Sequence, residues 1–550
     1  MIVRMNHLDL LCVASDREAT LERLRDLGVV HLDLASAAGA SVAAARSDAE
    51  DAEKAVRAIR KARRELAAGG APSATHSSSV ADVLKLAEGM ETAKNSADEL
   101  SRTIATYEPY GDFDPELARR LLEKGIDLSS VAELPDPLPP KRLSAMKADL
   151  AALERTAADD KVALASCDDA AIMASRPGLS DRIAFAAAEE LMSQCGEIAY
   201  ISGWIPAVKS GLLREEAAKS GWGLLVRDPV EGEVPPTLVE PPKFFRPMKA
   251  LFAGLGIAPA YTESDVSVPF MCYFALFFAM LVGDGAYGAI FLVGTLLARK
   301  KLPRSWFILL TTFSLSTVVW GLLSNTWFGA QIPWCRDWPT VKWLGDVTYH
   351  NMMLLCFTIG ASHLMLARIW NGTCRLPDST AIAEFGWAGV LLFMYLVTNS
   401  IVGIFPGIPS WGYWVFGVAL VCVFGFSVKP SELRTRGAEL GMLPLNVMSA
   451  LGDIISYVRL FAVGLASVKV AENFNNMATG LVSGENALWL NALMSVAMVA
   501  ILVVGHGLNL AMAALSILVH AVRLNTLEFS NHKGVSWAGY QFRPFRKFKT

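Results

Sequence analysis

Charge is scarce in this 550-residue chain. Asp, Glu, Lys and Arg make up 19% of it, and acids and bases nearly balance at a formal net charge of −3. That balance offers no basic surface for nucleic acid, so no nucleic-acid partner is expected. Cysteine is also thin: eight residues, scattered, with no CxxC pair and no metal-ligand spacing. They read as small apolar packing residues, and neither a metal nor a cofactor is expected. Cys335 stands alone in its loop, which excludes a disulfide within that loop. The opening "MIVRMNHLDLLCVAS" lacks an uninterrupted apolar core, because His7 and Asp9 break it, so it is not expected to act as a signal peptide.

What the chain has is hydrophobicity, 53% of its residues, unevenly spread. The length allows about three or four ordinary domains. Up to about Pro247 the chain is rich in Ala and in charged residues; from Val268 onward it is a series of long apolar runs. The expected organisation is therefore two-part. Residues 1–245 form a cytoplasmic N-terminal domain, 246–267 a linker, 268–530 a transmembrane domain, and 531–550 a basic cytoplasmic tail.

Within the first part, residues 2–14 alternate weakly and predict a strand. Ser15 or Asp16 can cap a helix that ends before Gly28. "VVHLDL" reads as a second strand. Val42, Ala45, Ala49, Ala52, Val56, Ile59 and Leu66 then fall at helical spacing, broken at Arg63, and predict a helix with a weak Ala-rich seam. "GGAPSATHSSS" interrupts it. A second helix spans about 80–106, with Val83, Leu84, Met90, Ala97, Leu100 and Ile104 on one side, and a third runs from about 141 to 165. Helices that go out and come back suggest an antiparallel coiled-coil rod. "EIAYISGWIP" and "WGLLVRDPV" suggest a second α/β lobe. Such a rod is a scaffold rather than a catalytic unit. The Pro-rich "PVEGEVPPTLVEPPKFFRP" joins it to the second part.

The uncharged runs at 305–328, 351–367, 385–404, 411–428, 438–471 and 487–522 are each long enough for a membrane helix of ~20 residues. "ARKKLPR", "RIWNGTCR", "KPSELRTR" and the tail "FRPFRKFK" are rich in Lys and Arg, whereas "FPGIPS" and "GLVSG" carry none. The positive-inside rule puts the four basic segments, and both termini, in the cytoplasm. Parity then requires 268–298 to leave and return on one side, as a hairpin of two short helices broken near Gly283-Asp284-Gly285. The total is about eight helices. "GDGAYG" also matches GxGxxG, but no strand precedes it and both flanks are apolar, so its glycines serve the break and close packing rather than a dinucleotide.

The last run carries a polar stripe. His506, Asn509, Ala513, Ser516, His520 and Arg523 lie within about 100° of arc on a helix. An Arg at the bilayer centre costs ~2.5–3.5 kcal/mol on insertion scales, so such residues mark ion paths. Arg459 repeats the feature in "ALGDIISYVRLFAVGLASV", after Asn446, Ser449, Asp453 and Ser456, with a long uncharged stretch before Lys469. Asp453 is a candidate ion-pair partner for it. As a straight helix, 487–522 would span ~54 Å against a ~30 Å hydrocarbon core. It must tilt, bend near Gly505 and Gly507, or project. Two long tilted C-terminal helices, each with an Arg, suit a surface facing something that moves.

At these residues the chain resembles subunit a of rotary V-type ATPases, called subunit I in bacteria and archaea. The resemblance is carried by "FALFFAMLVGDGAYGAIF", "WGLLSNTWFG", "SYVRLFAVGL", "HAVRLNTLEF", "GVSWAGYQFRPF", "ISGWIP" and "VVHLDL", and covers essentially the whole chain. It implies a multi-pass protein of a bacterial or archaeal cell membrane, a membrane stator subunit of the rotary ATPase. Its implied partners are a proteolipid c-ring, peripheral stalk subunits, the central-stalk socket subunit and the lipid bilayer. By resemblance Arg459 and Arg523 are the two essential arginines, and His520 and Ser516 lie on the same channel-lining helix. The family often has an acid where this chain has Ala513; Asp453 and Glu472 are weak substitutes. The ion-translocation candidates are thus Arg459, Arg523, His520, Ser516, Asn509, His506, Asp453 and Ser456. Arginine stays protonated, so it can neutralise a bare ring carboxylate without relaying a proton, while His506 and His520 can relay one. No GxxxxGK[ST] segment occurs, so this chain is not expected to hydrolyse ATP itself. The alternative is a secondary active transporter with an intramembrane His/Arg substrate path, against which stand the large N-terminal half and the lack of internal repeats.

Overall fold

The computed structural model describes the chain apart from 67–78, 125–134, 136, 347, 430–432, 482–487 and 548–550, and apart from the side chains of 35, 433–439 and 488–492. The chain divides into two compact units. One comprises Met5–Glu233 with Arg543–Thr550, and the other Met1–Arg4 with Val234–Phe542.

The first unit is built on a four-stranded antiparallel sheet of order β2-β3-β1-β4. The strands are β1 (Met5–Val13), β2 (Ser193–Cys195), β3 (Ile198–Pro206) and β4 (Gly223–Arg227). Period-two alternation sends Leu8, Leu10 and Cys12 of β1 inward with Ala199 and Ile201 of β3, while Leu11, Val13, Ile198 and Tyr200 face out. The inner face packs on Leu21 and Leu24 of α1 (Arg17–Leu27), and each large apolar side chain buried there stabilises by about 1.5–3 kcal/mol. Gly28 closes α1 in the left-handed conformation that favours glycine. Asp16 sits at its N-cap but makes no side-chain capping bond.

Two expectations fail here. "VVHLDL" forms no strand; His31 makes a single two-way bridge with Trp204, of 2.8 and 2.9 Å, before the chain turns away. The segments read as a second α/β lobe join β1 in one sheet, because β3 pairs with it along nine residues, Met5↔Pro206 through Val13↔Ile198.

Four long helices follow the sheet's first strand: α2 (Ala40–Leu66), α3 (Val80–Tyr107), then, after the short α4 (Pro115–Glu123), α5 (Leu143–Ser166) and α6 (Asp169–Leu191). The Ala-rich seam of α2 is buried at Val42, Ala45, Ala52, Val56 and Ile59, as its spacing predicts, with Ala55 and Ala62 beside it. Arg63 does not break that seam. It donates to the Ala165 carbonyl at 2.9 Å and to Asp169 at 2.6 Å, capping the end of α5 against the start of α6. The interruption "GGAPSATHSSS" lies outside the described residues except for Ser79, which caps α3 through Asp82 N. α7 (Ser210–Ser220) links β3 to β4. After β4, Arg227 grips Glu233 through both terminal nitrogens, at 2.9 and 2.6 Å, and holds its carboxyl down at about 2. His31 is buried, and its Nδ1 accepts from Arg543 N at 2.9 Å; burial pushes its pKa below the ordinary value.

The second unit begins with α8 (Met248–Leu255) and continues as α9 (Ser267–Val282), α10 (Gly285–Leu297), α11 (Arg304–Ser324), α12 (Pro339–Leu344), α13 (His350–Arg375), α14 (Thr380–Ile401) and α15 (Ser410–Phe426). α16 (Leu433–Ile455), α17 (Val458–Thr479), α18 (Leu488–Ser516) and α19 (Ser530–Lys533) complete it. Among the described residues five stretches are long and apolar enough to cross a membrane, or six if the bent pair α9–α10 is one span; α15 is apolar but shorter. The axis turns by 119° between α9 and α10. The cause is local. Gly283 ends α9 at φ 70°, and the Asp284 carboxylate starts α10 by accepting from Ala286 N at 2.8 Å, with Gly329 N on its other oxygen at 2.8 Å. At Gly464 of α17 a Cβ would come within 2.5 Å of the Met280 carbonyl, so this crossing needs glycine.

The long C-terminal run is helical straight through Gly505 and Gly507. Its irregularity comes later, in π turns at Ile517–Ala521 and Leu524–Phe529 on either side of Arg523. The cysteines also differ from expectation. Cys12, Cys167, Cys335 and Cys356 are buried, but Cys195, Cys272 and Cys374 are exposed.

Candidate functional site

The two membrane arginines meet at a residue that the sequence reading passed over. Arg459, one residue into α17, donates through Nη2 to Glu528 Oε1 at 2.6 Å, and Arg523 Nε lies 3.5 Å from the same oxygen. The Glu528 side chain is 6% exposed, against 22% for Arg459 and 55% for Arg523. Two cations thus converge on one buried carboxylate, and the outer cation remains open to the surface. Glu528 Oε2 and His520 Nδ1 are buried and make no hydrogen bond among the described residues.

The π turn explains why Glu528 was missed. Five residues on a regular helix place Glu528 about 140° away from Arg523. The wider turn of Leu524–Phe529, with its i→i+5 pattern, brings such a pair back toward one face. No sequence signal announces a π turn.

Asp453 is not the partner of Arg459. It bonds to His532 Nε2 at 3.0 Å, while Glu528 holds the arginine. His532 opens a second cluster. Its Nδ1 receives Arg368 Nε at 3.1 Å; Arg368 reaches Glu384 at 3.1 Å, and Arg375 reaches Glu384 at 2.9 Å. Lys533 donates to Asn371 at 2.7 Å. Tyr457, fully buried between α16 and α17, bonds His363 Nδ1 at 2.8 Å. Ser456 is half-buried; its hydroxyl donates to the Gly452 carbonyl and its own carbonyl accepts from Arg459 Nε, both at 2.9 Å. A His or Glu inside an apolar run, as in "GASHLMLA" and "AIAEFGWAG", was the available signal for His363 and Glu384.

A third cluster joins Ser467 and Asn475 of α17 to the second half of α18 and to Tyr287 of α10. His506 Nδ1 bonds the Tyr287 hydroxyl at 2.7 Å and its Nε2 bonds Asn475 at 3.1 Å. Asn509 is fully buried and donates to the Tyr287 hydroxyl at 3.1 Å and to the Ser467 carbonyl at 2.8 Å, while Ser467 Oγ donates back to it at 3.1 Å. The predicted stripe is therefore divided. His506 and Asn509 join this network, Ala513 is buried and apolar, Ser516 is half-buried, and His520 and Arg523 belong to the Glu528 end. Glu472 pairs with Lys469 at 2.7 Å and joins neither cluster. From Arg459 to Asn475 the separation along α17 is about 24 Å at the helical rise. Among the described residues no group of three His, Cys, Asp or Glu is arranged to hold a metal ion.

Beside the arginines the helices are bare. Val503, Val504, Leu508, Leu515 and Leu518 of the C-terminal run are 50–70% exposed, as are Leu445 and Met448 of α16.

No family model matches the chain. Among curated proteins it is similar to the V-type ATP synthase subunit I of Borreliella burgdorferi, 32% identical over 382 residues covering 66% of this chain and 62% of that one. It is similar over the whole of both chains to the V-type ATP synthase subunit I 1 of Treponema pallidum, at 28% identity. The A-type ATP synthase subunit I of Methanocaldococcus jannaschii is 24% identical over 63% of this chain, which spans 55% of that relative's length.

Proposed function

Because the chain belongs to the subunit I family of V-type and A-type ATP synthases, we propose that it is the membrane stator subunit, lining two ion half-channels against a ring of proteolipid subunits. One observation carries this reading: two arginines from different helices share a buried carboxylate at the edge of an exposed apolar face. A ring carboxylate arriving at that face without its ion has the half-exposed Arg523 to meet first. The guanidinium stays charged at every pH of interest, so it neutralises the ring acid without conducting a proton between the channels. Glu528 holds both guanidiniums in place between encounters, in a setting where charge pairing is strong.

The two polar clusters then serve as the half-channels. The Asp453–His532–Arg368–Glu384 cluster joins the ends of α13 and α14 nearest the basic loops, the cytoplasmic side in this reading. The His506–Tyr287–Asn509 network serves the opposite side in this reading. Buried Ala513 separates the two on α18 and stops a continuous polar path. The first unit, with its sheet and long helices, is the docking body for the peripheral stalks, and the central-stalk socket subunit completes the set of partners.

The test is ATP-driven ion uptake into vesicles holding the intact complex, with subunit content checked. Arg459→Gln keeps a polar side chain but leaves a bare carboxylate unpaired at the interface, a cost of several kcal/mol. Each ~1.4 kcal/mol of added barrier slows the step about tenfold, so coupled uptake falls to background while assembly persists. Near-normal uptake in that complex would refute the assignment.

A further inference from the structure

Where α9 begins and α13 ends, the second unit encloses an open cavity of about 1020 Å³. One wall is the first turns of α9, with Pro269 and Cys272; the other is a stripe of α13, Leu366, Trp370 and Cys374, spaced four residues apart and so stacked on one face. Leu366, Cys272 and Cys374 are exposed on helices that are apolar enough to cross a membrane, α13 alone and α9 with α10 as a bent pair. At the polar end stands Arg4, exposed, with no hydrogen bond or ion pair among the described residues. The neighbouring carboxylates do not neutralise it. Glu263 accepts from Ala260 N and from the amide and hydroxyl of Ser536, each at 2.7 Å, and Asp265 accepts from Ser267 N at 3.0 Å and pairs with the N-terminal ammonium of Met1, so neither forms an ion pair with Arg4.

We propose that this cavity binds one anionic phospholipid of the adjacent leaflet, its acyl chain against Pro269, Leu366 and Trp370 and its phosphate on Arg4. The proposal uses only the chain's place in a membrane and not the ring-facing role of the arginines. Three features fix the ligand class. The apolar walls exclude a free anion as the occupant. The unpaired guanidinium selects a phosphate, which it can hold through two parallel N–H bonds. The position, at the termini of membrane helices, is where a headgroup meets its chains. A volume at the upper limit of small-molecule pockets, about 1,000 Å³, suits an amphiphile better than a small metabolite.

The exposed cysteines in the cavity serve as reporters. The intact complex in detergent is labelled with N-ethylmaleimide, and the rates at Cys272 and Cys374 are read by peptide mass. Exposed Cys195 of β2 is the external reference, and buried Cys356 of α13 reports unfolding of the same unit. Dioleoyl phosphatidylglycerol should slow labelling at Cys272 and Cys374 and leave Cys195 unchanged, dioleoyl phosphatidylcholine should protect about tenfold less, and inorganic phosphate should not protect. Arg4→Glu should abolish the preference for phosphatidylglycerol with Cys356 still unreactive; Arg4→Gln replaces it if Cys356 becomes reactive. Equal protection by both lipids, or an unchanged preference in the Arg4 variant, overturns the proposal. Protection by phosphate alone shows a free-anion site and also overturns it.

Discussion

Helix α14 and the stretch Leu493–Lys533 are both apolar enough to cross a membrane, yet 61% of the most apolar eighteen-residue window of the first is buried inside the chain and 17% of that of the second. Hydropathy assigns both to the membrane and says nothing of what covers them. The charges do. On α14 the one ionised side chain, Glu384, is 7% exposed and held by Arg368 and Arg375. On the C-terminal run Arg523 stands 55% exposed among bare valines and leucines. A helix face of leucine alone is content with lipid; a face that carries an arginine is not. The comparison teaches that α14 is completed by its own chain, whereas the C-terminal run leaves an apolar face and the outer side of Arg523 open, which in the proposed reading a partner covers.

Substitutions that act on one region and spare the other sharpen this contrast. The largest effect belongs to Glu384→Ala, which leaves two arginines without their buried partner. It should destabilise the second unit by about 3–5 kcal/mol, seen as loss of folded subunit on solubilisation; an unchanged melting temperature of the complex would show that α14 is not held by this cluster. Tyr457→Phe removes the hydroxyl from His363, whose Nε2 is already buried without a partner. The expected cost is about 1–3 kcal/mol in thermal melting.

The first unit provides a pH response unrelated to the membrane. His31 is held below its ordinary pKa by burial, so it folds neutral. Its contribution is fully present above the unfolded value of 6.5 and is lost as pH falls through the folded one. As pH falls from 8 to 5, the protection of Arg543 N against hydrogen exchange, taken relative to the intrinsic rate at each pH, should fall, because that amide donates to His31; His31→Gln should flatten that profile. The smallest effect is Leu508→Ser on the bare face, within about 0.5 kcal/mol for the subunit itself. It should show instead as weaker retention of the complex's other membrane subunits.

Much of this was legible beforehand, for reasons that differ by residue. The membrane stretches follow from apolar length, and the break at Gly283-Asp284 follows from a glycine next to a capping acid within an apolar run. β1 and the Ala seam of α2 follow from periodicity. Arg459 and Arg523 stood out because charge is costly where they lie. What was hidden depends on contacts between distant parts. β3 pairs with β1 across almost two hundred residues, so local sequence suggested two lobes where one sheet exists. Arg63 looked like a break in a seam because its partners, Asp169 and the Ala165 carbonyl, come from another helix. Asp453 was a candidate mate for Arg459, but the π turns present Glu528, and Asp453 bonds to His532.

The central claim is that the bare face beside Arg459 and Arg523 meets a proteolipid ring. Site-directed cross-linking in native vesicles tests it most directly, with cysteine placed at Leu515, 62% exposed on that face, and at Val390, fully buried in α14. The account predicts that Leu515→Cys, labelled with a maleimide carrying a short photo-activated benzophenone arm, joins to the ring subunit on illumination and that Val390→Cys does not. A Leu515→Cys complex that transports normally, is reached by lipid-soluble maleimide, and never cross-links to the ring would contradict it.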